Sequence, residues 1–390
     1  MCRQRPSPRG AEGSMKSVID SILPSISKKK VDARPLLGIF PGEGVGPEVI
    51  RAALDVLGAV ESVSAVRIER VQISDESLQA DGNGRGYLNM PESVATFCQE
   101  IFERGGALLC GPGGGRFVYE MRRQFDLFCK LAPIRPLPAL CQSTRLKPHV
   151  VRDVDIMVVR DNSGGVYQGQ WGERVDPNGG RVAEHRFSYS QQQVESIVGV
   201  GLRLAALRRQ RMHVIVKDGG VPAISDLWRD VAQRLAAKSR VDCTIMNADY
   251  AAYQLIQHPS DFDVLVTPNL IGDVLADLGA VLLGSRGMSF SANYSPAGHA
   301  VYQTGHGGAK DLANTDRANP LAQILSLAML LRESFGMAEE ATLVEKAVDR
   351  VLTSGWRTDD LAETRCRCVG TRQMGALVSE SVLAGSKVSA

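Results

Sequence analysis

No charge of one sign dominates this chain: 45 Lys and Arg stand against 43 Asp and Glu, a formal net charge of +2 at pH 7. That balance excludes a global field for a polyanion such as nucleic acid, so any anion site has to be built locally. No segment approaches the roughly 20 consecutive apolar residues of a membrane span, and the N-terminus has no apolar signal-peptide core. A cysteine pattern is also missing. Cys2, Cys98, Cys110, Cys129, Cys141, Cys243, Cys366 and Cys368 are scattered, several inside apolar runs such as ALLCG, and Cys366-x-Cys368 has no second Cys or His pair at zinc spacing. They read as packing or surface thiols in a reduced, cytoplasmic compartment. Internal repeats and low-complexity tracts are absent as well.

What is present is enough to fold. With 390 residues and 44% hydrophobic content, the chain can bury a substantial core in two or three domains. Residues 1–33 carry Arg3, Arg5, Arg9 and the lysines at 28–30 among Pro, Ser and Gly, and read as a flexible basic tail. Pro6 and Pro8 argue against an amphipathic targeting helix there.

From Pro35 onward, short apolar runs (LLGIF, ALLCG, DIMVV, MHVIV, FDVLVT) alternate with longer segments whose apolar residues recur at three and four. This predicts an α/β fold with largely parallel strands. NPLAQILSLAMLLRESFG and ATLVEKAVDRVLTSG read as consecutive helices covering one face of the sheet, and the polar stretch 168–187 reads as an excursion, a hairpin arm.

Several residues are candidates for chemistry. In FDVLVTPNLIGDVLAD a strand runs to Thr267 and a helix begins near Ile271, so Asp273 and Asp277 share one helical face with a rise of about 6 Å between them. Two hard oxygen donors at that spacing suit Mg²⁺ or Mn²⁺; the spacing alone fits two solvated acids equally well. Arg160 ends a strand before a Gly-rich turn, and Arg122 lies in EMRRQFDLF; each is a carboxylate partner or a surface arginine. Tyr167, after Gly164 and Gly165, is a proton donor or a buried phenol. The loop PGEGVGPEV lacks the G-x-G-x-x-G spacing of a dinucleotide fingerprint. HGGAKDLANTDRANP is a long loop with many backbone donors, of a kind that can wrap a nucleotide.

Taken in order, LLGIFPGEGVGPEVI, RRQFDLF, VVRDNSGGVYQG, FDVLVTPNLIGDVLAD and HGGAKDLA...ANP resemble segments of the isocitrate and isopropylmalate dehydrogenase family over roughly residues 36–385. The resemblance implies a two-domain isopropylmalate-dehydrogenase-like α/β fold with a mostly parallel sheet core. Residues 34–135 plus 289–390 would form the large domain, and 136–288 the small one with its dimer-forming arm. It implies a homodimer with shared active sites that oxidises a 2-hydroxy diacid and removes its β-carboxylate. In that likeness Arg122 and Arg160 clamp substrate carboxylates and Tyr167 transfers a proton. Asp273 and Asp277, with Asp249 of the neighbouring subunit, bind Mg²⁺ or Mn²⁺. His306, Gly307 and the loop through Asn319 hold the adenosine half of the cofactor, and the acid Asp311 favours NAD over NADP. The residues before Arg122 read the substrate's substituent: Val118 and Tyr119 favour an apolar group, Arg116 a charged one, so the particular acid stays open.

Two departures from the family pattern stand out. Where the family has asparagine, a hydrophobic residue, arginine and proline, this chain reads KLAP, with Ala132 in the arginine place. Alignment through SDLW puts Asp218 in the place of the family's acid–base lysine, with Lys217 one residue early and therefore facing the other way on an extended strand. Asp218 is the candidate base. The alternative is a catalytically weakened regulatory subunit. No nucleic-acid or membrane partner is expected.

Overall fold

The apolar runs become strands because residues buried on both faces need no alternation. The computed structural model describes residues 34–73, 90–113 and 117–386; the basic tail, Cys2 and Arg116 lie outside them. In chain order the strands are β1 (Leu36–Phe40), β2 (Glu69–Gln72), β3 (Ala107–Cys110), β4 (Cys129–Ile134), β5 (Ile156–Asp161), β6 (Gln170–Val175), β7 (Arg181–Arg186), β8 (Arg211–Val216), β9 (Asp242–Asn247), β10 (Val264–Thr267), β11 (Phe290–Tyr294) and β12 (Ala300–Thr304), followed by a short two-stranded pair. The helices are α1 (Gly46–Val63), α2 (Glu92–Glu103), α3 (Phe117–Gln124), α4 (Pro148–Val151), α5 (Gln191–Leu207), α6 (Pro222–Ala236), α7 (Ala248–Gln257), α8 (Asn269–Gly279), α9 (Leu321–Glu333), α10 (Ala338–Thr353) and α11 (Thr371–Ser386).

Ten strands form one sheet in the order β2-β1-β3-β12-β11-β4-β5-β10-β8-β9. The expected α/β architecture is present. Pairing is parallel toward both edges, while at the centre β11 runs antiparallel to β12 and to β4, and β4 antiparallel to β5. As expected, α9 to α11 cover one side, packing on α1, on one another and on β11 and β12. The stretch 168–187 forms the separate antiparallel ribbon β6–β7, which leaves Trp171 58% and Val175 67% exposed. Among the described residues no helix is long and apolar enough to cross a membrane.

The topology positions a site in two ways. Parallel pairing of β5, β10 and β8 brings their carboxyl ends, Arg160, Thr267 and Val216, to one edge, where open α/β sheets hold ligands. The β4–β5 register sets Lys130 opposite Arg160, and directly opposed residues share a face. α5 is fixed by a capping box, in which Gln193 N–H donates to Ser190 Oγ (3.2 Å) and Ser190 N–H to Gln193 Oε1 (2.8 Å). Buried Trp228 of α6 meets Tyr189 edge-on at 5.4 Å and aligns that phenol with the start of α8.

Asp263, fully buried before β10, accepts from Arg208 Nε (2.8 Å) and from the Arg209 backbone N–H (2.8 Å), tying the end of α5 to the sheet. Asp263→Ala strands Arg208 and is expected to cost about 3 kcal/mol. The readout is a lowered denaturant midpoint at unchanged slope. Removing the exposed Arg174–Glu184 pair of the ribbon is expected to cost under about 1 kcal/mol.

Candidate active site

Arg160 is 2% exposed at the end of β5, so its charge has to be met inside the protein. Its Nε (3.1 Å) and Nη2 (2.8 Å) both donate to Asn269 Oδ1, and its Nη1 donates to Asp273 Oδ1. Asn269 is itself held, donating through Nδ2 to the Gly164 carbonyl (3.0 Å) and through its backbone N–H to the Tyr189 hydroxyl (2.8 Å). α8 lies so close that a Cβ on Gly272 would stand 2.1 Å from Thr267 Oγ1 and 2.9 Å from Arg160 Cγ. The helix that carries Asp273 can approach the guanidinium only because that residue is glycine.

Tyr167 completes the group. Its hydroxyl donates to Asp273 Oδ2 at 2.8 Å, its ring centroid lies 5.5 Å from the Arg160 guanidinium, and it rests on Tyr119 at 4.7 Å between centroids. Burial, and then the Asp273 charge, push the phenol above its ordinary range, so it keeps its proton. Burial opposes the charge on Asp273, but Arg160 and then Lys130 outweigh it and hold that carboxyl below the usual carboxylate value. One turn on, Asp277 accepts from Arg286 Nη2 at 2.8 Å.

Two further cations face the same carboxylates. Arg122 is 6% exposed, its Nε and Nη1 are buried without a partner, and its guanidinium stands 5.3 Å from the Tyr119 ring centroid. Burial and then Arg160 lower its affinity for its proton. Lys130, also 6% exposed, is pushed down to about 7 by burial and then by Arg160 and Arg122. Arg122, Lys130 and Arg160 thus act together on Asp273 and Asp277, three buried cations against two acids, an arrangement suited to an anion. Ala132, two residues along β4, adds no charge to it.

Asp273 and Asp277 offer the hard oxygens a divalent ion needs. Their side chains are 39% and 45% exposed, and each is paired with an arginine. Each Asp273 oxygen accepts one hydrogen bond, which leaves lone pairs for a metal. Among the described residues no three His, Cys, Asp or Glu gather at metal spacing, so a divalent ion here would need ligands beyond these two acids.

Asp249 and Asp218 are elsewhere. Asp249 accepts from Lys217 Nζ at 2.9 Å; Asp218 pairs with Arg229 and exchanges hydrogen bonds with Asn247, whose Nδ2 donates to Asp218 Oδ2 at 3.2 Å. None of these contacts reaches Arg160 or Asp273. Val118 lies on α3 against the core around Phe40 and Phe97.

A second hollow, about 610 Å³, opens beside the acids. His306, Gly307, Asp311 and Asn319 all line it, together with Val45 of the loop before α1, and Arg286 joins it to Asp277. Gly44 (φ +58°) lets the two loops meet: a Cβ there would stand 1.8 Å from the Gly308 carbonyl oxygen, to which Val45 N–H donates at 2.8 Å. His306 is depressed by burial and hydrogen-bonds the Gly307 carbonyl through Nδ1 at 2.8 Å, so it is neutral at physiological pH. Asn319 anchors the loop, accepting from Leu321 N–H (2.9 Å) and donating to Asp360 (3.1 Å). The hollow is lined by three consecutive residues of the loop after His306, Gly307 to Ala309, and by one acid of the expected cofactor set, Asp311.

Reading the sequence residue by residue passed over Lys130, Asn269 and Arg286. Asn269 carried a signal, its place in the TPNL turn, and Lys130 another, its place in an apolar strand. Arg286 carried none.

Comparison with known proteins agrees with this geometry. A family model described as isocitrate/isopropylmalate dehydrogenase matches residues 36–378. The chain is 36% identical over 361 residues to a 3-isopropylmalate dehydrogenase of Desulfitobacterium hafniense (strain Y51), covering 88% of this chain and 99% of that protein. It is 35% identical over 368 residues to a 3-isopropylmalate dehydrogenase of Bacillus subtilis (strain 168), covering 89% and 98%. The crystal structure of isocitrate dehydrogenase from Methylococcus capsulatus superposes with a TM-score of 0.77 at 27% identity, covering 90% of this chain and 99% of that one.

Gly272→Ala is the sharpest local test. The added methyl has to displace Arg160 or α8, at an expected cost of about 1–3 kcal/mol. Gly58→Ala, where a Cβ meets nothing within 4 Å, is expected to be neutral or mildly stabilising in parallel unfolding curves.

Proposed function

The chain belongs to the isocitrate/isopropylmalate dehydrogenase family, and we propose that it is an NAD-linked, Mg²⁺- or Mn²⁺-dependent oxidative decarboxylase of a malate-type 2-hydroxy dicarboxylate. The observation that carries this reading is the convergence of Tyr167 and Arg160 on Asp273, with Arg122 and Lys130 facing them.

The buried cations bind and orient the diacid. Arg160, locked by Asn269, presents a fixed guanidinium, and Arg122 keeps unpartnered N–H groups for a carboxylate. Tyr167 holds its proton through the physiological range and donates it to the carbon left by loss of CO₂. When bound at Asp273 and Asp277, the divalent ion supplies Lewis-acid stabilisation of negative charge on the substrate. His306, Gly307, Asp311 and Asn319, which line the second hollow, would hold NAD, and that cofactor would supply the hydride acceptor.

The complete site is proposed to need two copies of the chain, with residues 34–135 and 289–390 in one domain and 136–288 in the other. Tyr250 (53% exposed) and Tyr253 (60%) on α7 and Val274 (59%) on α8 present an apolar surface suited to a homodimer, and the ribbon adds Trp171 and Val175. That arrangement delivers Asp249 and Asp218 from the neighbouring chain, the first to the metal and the second as base. A cytoplasmic location is part of the same proposal, supported by the cysteines that stand unpaired among the described residues.

A panel of malate, 3-isopropylmalate, isocitrate, homoisocitrate and tartrate with NAD and Mn²⁺ checks the reading by absorbance of NADH. One acid is expected to turn over, and Asp273→Asn to lower kcat/KM by a factor of about 10² or more. A regulatory subunit would instead give no NADH alone and activity only after a partner is added; Asp218's pairing with Arg229 is the observation in favour of that second reading.

A further inference from the structure

Lys130 is buried in the wrong place for a structural lysine. It sits mid-strand, opposite Arg160 on one neighbour and opposite Asn293 on the other, so its side chain shares the face that carries the Arg160 cluster. It is 6% exposed. Among the described residues no hydrogen bond or ion pair engages its ammonium. The two acids that feel its charge are already satisfied, Asp273 by Arg160 and Asp277 by Arg286. A buried cation surrounded by two further cations and left without its own acceptor destabilises the free protein, so its partner is expected to arrive from solution.

The position explains what it replaces. Ala132, where the family pattern has arginine, lies two residues further along β4; residues two apart on a strand point to the same face and stand about 7 Å apart. A lysine's extended stem spans most of that distance. The side chain at 132 is cut back to a methyl group, and the charge reappears one step along the same face.

We propose that Lys130 contacts the substrate directly, its ammonium taking the carboxylate that arginine at position 132 takes in the family pattern, so that the pocket still binds a complete dicarboxylate. The inference rests on the dehydrogenase reading above and sharpens its substrate class: the ligand keeps both carboxylates. It also predicts a change in selectivity. An ammonium is a compact, rotatable donor and not a planar fork, so it tolerates more than one orientation of the carboxylate it holds.

The test is calorimetric titration of the full chain with 3-isopropylmalate, malate and the monoacid 2-hydroxybutyrate in the presence of Mn²⁺, alongside thermal melts. Diacid binding is expected to weaken on the order of 10- to 100-fold in Lys130→Asn, while monoacid binding changes less than about threefold. Lys130→Arg keeps the charge and should stay within about tenfold of wild type. Lys130→Asn with Ala132→Arg restores the family pattern and should recover diacid affinity. The melting temperature of ligand-free Lys130→Asn should equal or exceed that of wild type, whereas a structural lysine would lower it. Equal diacid affinity in wild type and Lys130→Asn overturns the inference and leaves the dehydrogenase reading standing. If Lys130→Asn does not fold, Lys130 is structural and the inference fails. Wild type that binds no diacid and reduces no NAD with any acid of the panel overturns the dehydrogenase reading itself.

Discussion

The contact between Arg160 and Asp273 joins a strand to a helix 113 residues later in the chain, and the rest of the site is arranged around it. A guanidinium buried at the end of β5 requires acceptors within reach. Asn269 and Asp273 provide them because α8 begins immediately after β10, the strand beside β5. The approach requires glycine at 272, a hydroxyl from Tyr189 to hold the first backbone N–H of α8, and a core tryptophan to hold Tyr189. Arg160 holds the Asp273 carboxyl beside it below its usual value, and burial together with the Asp273 charge keeps the proton on Tyr167. One ion pair therefore bears on the protonation of the phenol beside it.

Stability and function pull against each other at the same place. Arg122, Lys130 and Arg160 repel one another in a desolvated pocket, and burial lowers the proton affinity of the first two. A purely structural core would replace such charges with apolar groups at no loss. Their presence makes the free protein's ground state unfavourable at this place, which the proposed diacid would relieve. Arg286 extends the same electrostatics to the neighbouring hollow, since it neutralises Asp277 while lining the space assigned to the cofactor.

Much of this was legible in the sequence, for identifiable reasons. The strands buried on both faces, such as LLGIF and FDVLVT, and the four-residue spacing of Asp273 and Asp277 are local signals that tertiary packing did not override. The ribbon at 168–187 announced itself by polarity. Contacts between distant segments were less accessible. That Tyr167 donates to Asp273, or that Arg286 meets Asp277, depends on how helices dock, which periodicity does not encode. Lys130 is the instructive case. Reading the KLAP segment for the arginine it lacks at 132 concealed the lysine it has at 130, which the β4–β5 register sets directly opposite Arg160. Asp249 and Asp218 remain apart from the cluster within one chain, held by Lys217 and Arg229.

A crystal structure of the protein with 3-isopropylmalate and Mn²⁺ tests the central claim most directly, because it shows what the three buried cations hold. The account predicts one ligand carboxylate within hydrogen-bond distance of Lys130 Nζ, a second held by the guanidinium groups of Arg122 and Arg160, and the ion on Asp273 and Asp277. A diacid bound with Lys130 turned away from both carboxylates, or bound outside this cluster altogether, would contradict it.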